Sequence, residues 1–178
     1  MRSNNFFSFL LIASLFTGCS YTGGYSFDGA SIDYNLTKTL SVATFLNDSG
    51  GGPPNMGLTF SEGLKDYFQR RTKLELVPNK GDLQFDGDIG NYVVRPQAVR
   101  SSGNNNIADG TGLMRLQIGV QVQFTNTKKE EDNFERQFSF FADYDPSSAT
   151  LNSIENELVE EIFEQIYFDI FQASVAQW

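Results

Sequence analysis

Met114-Arg115-Leu116-Gln117-Ile118-Gly119-Val120-Gln121-Val122-Gln123-Phe124-Thr125 alternates along its whole length. Met114, Leu116, Ile118, Val120, Val122 and Phe124 form one set, and Arg115, Gln117, Gly119, Gln121, Gln123 and Thr125 the other. Successive side chains of an extended backbone point to opposite faces, so the stretch is a strand with one buried and one polar face. Its regularity makes it a central strand of a sheet, and the neighbouring segments are read as partners for it.

Toward the C-terminus, the charged stretch from Lys128 to Asn133 is a hairpin loop. Beyond it Phe134, Phe138, Phe140, Ala142 and Tyr144 alternate against Glu135, Gln137, Ser139 and Asp143, the next strand of an antiparallel meander. Asp145-Pro146-Ser147-Ser148 stops it. From about Thr150 to Ala173 two adjacent stripes, Ile154-Leu158-Ile162-Ile166-Ile170 and Val159-Phe163-Tyr167-Phe171, face away from Glu155, Glu157, Glu160, Glu161 and Glu164. This spacing predicts a long amphipathic helix with a wide apolar face.

Toward the N-terminus, Gln97 to Gly112 is rich in Ser, Gly and Asn and reads as a loop. Before it Leu83, Phe85, Gly87 and Ile89 alternate against Gln84, Asp86 and Asp88, a half-buried strand. Gly90 and the shift to Tyr92-Val93-Val94 predict a bulge before Pro96 ends it. Asn79-Lys80-Gly81-Asp82 is a turn and Thr72 to Val77 a short strand. Met56, Phe60, Leu64 and Phe68 recur every fourth residue, and Thr59 with Glu62 has capping-box spacing, so a helix is expected from about Met56 to Arg71. Asn47 to Pro54 is a Gly- and Pro-rich break, Thr39 to Leu46 a first strand, and Tyr25 to Ile32 an extended leading segment with a turn at Gly29. Strands with two helices that must each bury one side give an α+β two-layer sandwich. Two helices are expected on one face of a roughly four-stranded, mostly antiparallel sheet, with the first strand at either edge.

The first residues decide where such a domain is placed. Arg2 is followed by an apolar run from Phe6 to Phe16, too short to span a bilayer, and then by Thr17-Gly18-Cys19. That order is a secretory signal. It also resembles a bacterial lipobox, with Phe16 where Leu is usual. The domain plan is a cleaved signal at residues 1–18, a lipidated tether at 19–24 and one domain at 25–178. A plain cleaved signal would leave Cys19 as a free thiol, and as the single cysteine it has no internal disulfide partner. Acylation of Cys19 accounts for it, at about 0.8 kcal/mol of membrane affinity per buried CH₂. The tether lacks the acidic run that marks surface export in some Gram-negative groups, so the expected place is the periplasmic leaflet of the outer membrane.

The formal net charge is -9, and loss of residues 1–18 removes one Arg and no acid, leaving -10. Such a chain is a poor nucleic-acid binder. There is no histidine, which excludes Ser-His and Cys-His triads and the commonest metal ligand. No catalytic residue, metal site or cofactor is therefore assigned. Asp82, Asp86 and Asp88 lack the calcium-loop pattern, and the glutamates of the last helix are its solvated side. Any enzyme here would need a buried carboxylate with a raised pKa, and the acids lie on polar faces.

Two groups of residues are less ordinary. Gln117, Gly119, Gln121, Gln123, Gln137 and Ser139 make a polar sheet face of uncharged groups, where a solvated face usually carries Lys and Glu. Solvent exposure is one reading. The other is contact with a polar protein wall, since amides exchange hydrogen bonds without desolvating ions, and Gly119 would allow close backbone approach. Arg70, Arg71 and Lys73 form the densest basic spot, with Arg95, Arg100 and Arg115 scattered behind. Complementarity to the helix dipole accounts for the first pair as well as an anion does.

Tyr25-Ser26-Phe27, the run from Lys38 to Asn47, Phe60-Ser61-Glu62-Gly63-Leu64-Lys65-Asp66, Thr72 to Val77, Gly81 to Gly87, Asp169-Ile170-Phe171 and Ala176-Gln177-Trp178 together resemble the LptE family of lipopolysaccharide-assembly lipoproteins. Each piece is weak, and their order and spacing carry the likeness over essentially the whole mature chain. The resemblance implies two helices on a four-stranded sheet and a non-enzymatic role, plugging the lumen of an LptD β-barrel and helping it assemble. Barrel lumens are polar, which suits an amide-rich face. It also implies that basic residues meet lipopolysaccharide in some members, for which Arg70, Arg71, Arg95 and Arg100 are the candidates here. A lipoprotein holding a free lipid or glycan between helices and sheet is the alternative.

Overall fold

The computed structural model describes residues 32–97 and 112–176. In chain order these form β1 (Thr39–Val42), β2 (Leu46–Asn47), α1 (Met56–Arg71), β3 (Glu75–Leu76), β4 (Leu83–Pro96), β5 (Met114–Asn126), a 3-10 turn (Glu130–Asp132), β6 (Phe134–Tyr144) and α2 (Leu151–Ser174). One mixed sheet has the order β3-β1-β4-β5-β6, with β2 also on β4. The long pairs are antiparallel, β4 with β5 and β5 with β6. The short strands β1, β2 and β3 all pair in parallel.

The α+β class and the two helices stand as expected, but the sheet has six strands rather than four. The surplus consists of two dipeptide strands. The expected first strand, Thr39 to Leu46, is interrupted because the N–H of Phe45 donates to Ser61 Oγ at 2.8 Å while its ring turns into the core. Val42 pairs with Phe85 and Leu46 with Asp88, so four steps along the first segment match three along β4. One residue is left over and the ladder breaks there. Nor does β1 form an edge: β3 pairs on its outer side, Thr39 opposite Glu75. The bulge at Gly90 is present as a register shift between Ile89 and Asn91.

Helix α1 has the expected bounds without the expected capping box. Asn55 is its N-cap and makes no side-chain cap bond, so Thr59 lies inside the first turn and Glu62 pairs with Lys65 at 2.9 Å. Close packing holds the helix start instead. A Cβ on Gly57 would stand 2.2 Å from the carbonyl oxygen of Phe45, an approach open only to glycine. Both helices lie on one sheet face, where Phe60 meets Phe45 and Phe163, and Phe68 meets Phe171 and Phe85 with Phe124 beyond it, the two groups being joined through Tyr67 and Tyr167 into a continuous column of rings. Neighbouring centroids stand 4.9 Å apart in the Phe45–Phe60, Phe60–Phe163, Phe68–Phe85 and Phe85–Phe124 pairs. Such pairs add roughly 0.5–1.5 kcal/mol each beyond area burial. Most of the described phenylalanines are thus the interlayer core, and the other sheet face is left open.

Candidate partner-binding face

The open face is a ladder of rungs across β4, β5 and β6. Arg95, Arg115 and Asp143 form the first rung, followed by Val93, Gln117 and Phe141, then Asn91, Gly119 and Ser139. Asp88, Gln121 and Gln137 come next, and Asp86, Gln123 and Glu135 after them. The sheet therefore gathers Gln117, Gly119, Gln121, Gln123, Gln137 and Ser139 onto one surface. It also adds charges that the sequence of β5 did not show, carried in by β4 and by Glu135.

Neighbouring strands satisfy part of this polarity internally. Gln117 Nε2 donates to Ser139 Oγ at 2.9 Å, and Gln121 Nε2 to Glu135 Oε1 at 3.2 Å. Arg115 closes a two-pronged contact on Asp143, at 2.6 and 2.7 Å, while its guanidinium lies 3.5 Å from the Phe141 ring centroid. The Arg115 contact holds the Asp143 carboxyl below its ordinary range. Phe141 remains 40% exposed, an aromatic in the same rung as Val93 on a largely polar surface. The sequence signal for it was the doublet Phe140-Phe141, which breaks the alternation of β6. Gly119 is buried: a Cβ there would lie 3.0 Å from Gln137 Nε2 and 3.2 Å from Asn91 Cβ. Side chains of its own sheet fill the space above it.

The basic candidates do not converge. Arg70 and Arg71 end α1, the first 3.7 Å from Glu164 and the second 3.7 Å over the Tyr67 ring. Arg95 is exposed at the far end of β4, directly across from Arg115. Cys19 and Arg100 lie outside the described residues. Two solvent-open grooves are present, about 530 Å³ between the helices, lined by Asp66, Arg70, Glu160 and Tyr167 among others, and about 460 Å³ beside Leu36, Asn126, Lys128 and Ser174. Tyr167, pressed against Gly63, has its hydroxyl pKa pushed up by burial, with Glu164, Asp66 and Glu160 adding to the effect. Among the described residues no group of His, Cys, Asp or Glu is placed to hold a metal ion. No described helix is long and apolar enough to cross a membrane.

Comparison with known proteins bears on the whole domain. No curated protein matches the sequence. In fold, the chain is similar to the hypothetical protein CT253 of Chlamydia trachomatis, with a TM-score of 0.51 and 11% identity over 79% of this chain and 99% of that one. A minor lipoprotein from Acinetobacter baumannii is similar at a TM-score of 0.48 and 17% identity, over 78% of this chain and 94% of the other. The sequence model of one family, described as LptE, lipopolysaccharide-assembly, matches residues 37–174, which is nearly all of the folded domain. The chain therefore belongs to the LptE family, a non-enzymatic family of lipopolysaccharide assembly.

Proposed function

We propose that this protein is an outer-membrane lipoprotein, anchored through Cys19 in the periplasmic leaflet, that plugs the lumen of an LptD-type barrel and helps it assemble. The observation that carries the reading is the middle of the open face of β4, β5 and β6, where Asn91, Gln117, Gln121, Gln137 and Ser139 lie between charged rungs at either end. A polar lumen wall can trade hydrogen bonds with such a face at little desolvation cost. The Phe141 and Arg115 pair supplies a rigid aromatic contact within it. Phe60, Phe68, Phe85, Phe124 and Phe163 fill the interlayer space, which removes room for a free lipid or glycan there.

Affinity purification of the tagged, membrane-extracted protein tests the partner. One large β-barrel in roughly equal amount supports the plug. Recovery of the protein alone refutes it. The anchor is tested separately by metabolic labelling with a palmitate analogue: label on the wild type and none on Cys19→Ala supports it, and unlabelled wild type overturns it.

A further inference from the structure

Strand β6 ends the sheet. Eleven residues long, it pairs with β5 without a register shift and has no strand on its other side among the described residues. Just beyond the two ends of β5, the Thr127 N–H donates to the Asp82 carbonyl at 2.8 Å and the Leu113 carbonyl accepts the Gln97 N–H at 2.7 Å, so the odd-numbered residues of β5 turn their backbone groups toward β4. The even-numbered ones therefore bond β6, through their even-numbered partners from Phe134 to Tyr144. That leaves the backbone N–H and C=O groups of Glu135, Gln137, Ser139, Phe141 and Asp143 directed outward, with no hydrogen-bond partner among the described residues. The side chains along this edge are incompletely covered. Helix α2 lies over β6, yet Phe134, Phe140 and Tyr144 on that side are only half-buried, as are Leu151 and Ile154 of the helix. A long edge with an apolar strip on one side and polar groups on the other is a template for one more amphipathic strand.

The described domain begins beside this edge. Ile32 and Asp33 line one groove with Asn126, Lys129 and Asp132 of the β5–β6 hairpin, and Asn133, whose Oδ1 accepts the Asn126 N–H at 2.6 Å, is the last residue before β6. Traced back from Ile32, the chain can run along β6 in the antiparallel sense, and residues 25–31 reach about 23 Å when extended. They lie outside the described residues, but the order Tyr25-Ser26-Phe27-Asp28 alternates as such a strand requires. With Ile32 opposite Asn133, Asp28 falls opposite Gln137 and Ser26 opposite Ser139 on the open face, while Phe27 and Tyr25 fall beside Phe138 and Phe140 on the helix side. Gly29, extended rather than turned, comes opposite Arg136 and leaves room for its side chain. A second copy fits the edge less well. Two β6 strands paired about Ser139 would set Glu135 against Asp143 twice, and like charges directly opposite are destabilising.

We propose that residues 25–31 add a seventh strand to the outer edge of β6, antiparallel to it, with Tyr25 and Phe27 over the apolar strip. The edge is then closed to strand addition by another protein, and a partner meets the side chains of the open face instead. Amide hydrogen exchange, read residue by residue by NMR, tests this in the chain from Ser20 onward, whose core is closed by residues within the described segment. The Gln137 and Ser139 N–H groups are expected to exchange at least about tenfold more slowly than in Asp28→Pro, which removes a donor from the added strand. The Val120 N–H, inside the sheet on β5, should exchange equally slowly in both proteins and so reports that the domain is intact. Phe27→Ser, which takes the ring from the apolar strip and keeps the backbone, should speed the same two β6 amides by a smaller factor. Fast exchange of Gln137 and Ser139 in the wild type overturns the proposal, and so does slow exchange that neither variant relieves. Protection that rises with protein concentration assigns the edge to a second copy and overturns it as well.

Discussion

Asp82 ties three segments together. Its carboxylate accepts the N–H groups of Lys38 and Thr39, at 2.8 and 3.0 Å, and pairs with Lys128 at 2.8 Å, while its own N–H donates to Thr39 Oγ1 at 2.9 Å. The Lys128 ammonium first, and the Lys38 N–H next, hold the carboxyl far below the usual range. Asp82→Ala should cost about 2 kcal/mol at neutral pH, the scale of hydrogen bonds to a charged group, read by urea unfolding. The lowered native pKa also sets a pH dependence. Below about pH 4 the unfolded chain takes up a proton that the native carboxyl refuses, so this contribution is complete above that pH and is lost as pH falls toward the native value. Asp82→Asn should therefore be less stable than wild type at pH 7, and the gap should narrow on acidification below about pH 4. A gap unchanged from pH 7 to pH 2 would contradict the staple. Gly57→Ala is a second single-residue case: the added methyl meets the Phe45 carbonyl, and a loss of about 1–3 kcal/mol is expected from overpacking, visible as a lower Tm.

At the scale of elements, α1 depends on α2 and the sheet more than on its own ends. Its N-cap makes no side-chain bond, and its last-turn cations Arg70 and Arg71 are exposed. Phe60 is fully buried at the centre of the ring column, touching Phe45, Phe163 and Tyr167. Phe60→Ala should cost about 3–5 kcal/mol, close to the whole stability of a small domain. Phe168→Ala, on the outer side of α2 at 45% exposure, should stay within roughly 0.5 kcal/mol of wild type. Thermal melts of the two variants check the contrast, and equal effects would mean that the ring column is not the core. Tyr92 links the same layers elsewhere. Its hydroxyl donates to Glu155 of α2, and its ring is packed by Gly51 and Gly52, so burial and then the carboxylate push its pKa up. This contact explains why the break before α1 is glycine-rich: a Cβ on Gly51 would stand 2.7 Å from the Tyr92 ring.

At the scale of the whole molecule, one face of the sheet is closed by helices and the other is open, and the division tests the partner reading without disturbing the fold. Gln117→Lys and Gln121→Lys together place two cations on the open face, where the native side chains are half-exposed. Monomer stability should change by no more than about 0.5 kcal/mol, while recovery of the barrel should fall sharply, because ammonium groups lose hydration against a wall built for amides. Undiminished recovery would mean that this face does not meet the barrel.

The alternation of β4, β5 and β6 and the four-residue recurrence in both helices are local periodicities, and burial of one side enforces them wherever the segments pack. The long strands, the helix bounds, the helix-covered layer and the amide-rich set on β5 and β6 could thus be read from the sequence alone. Other features depended on tertiary contacts. The break between β1 and β2 exists because Ser61, sixteen residues later, takes the Phe45 N–H. The addition of β3 outside β1, the crowding over Gly119, and the separation of Arg95 from Arg70 and Arg71 each follow from which strands lie side by side. Periodicity specifies which side of a segment is buried; what lies against that side is decided by pairings between distant residues, which no local pattern encodes.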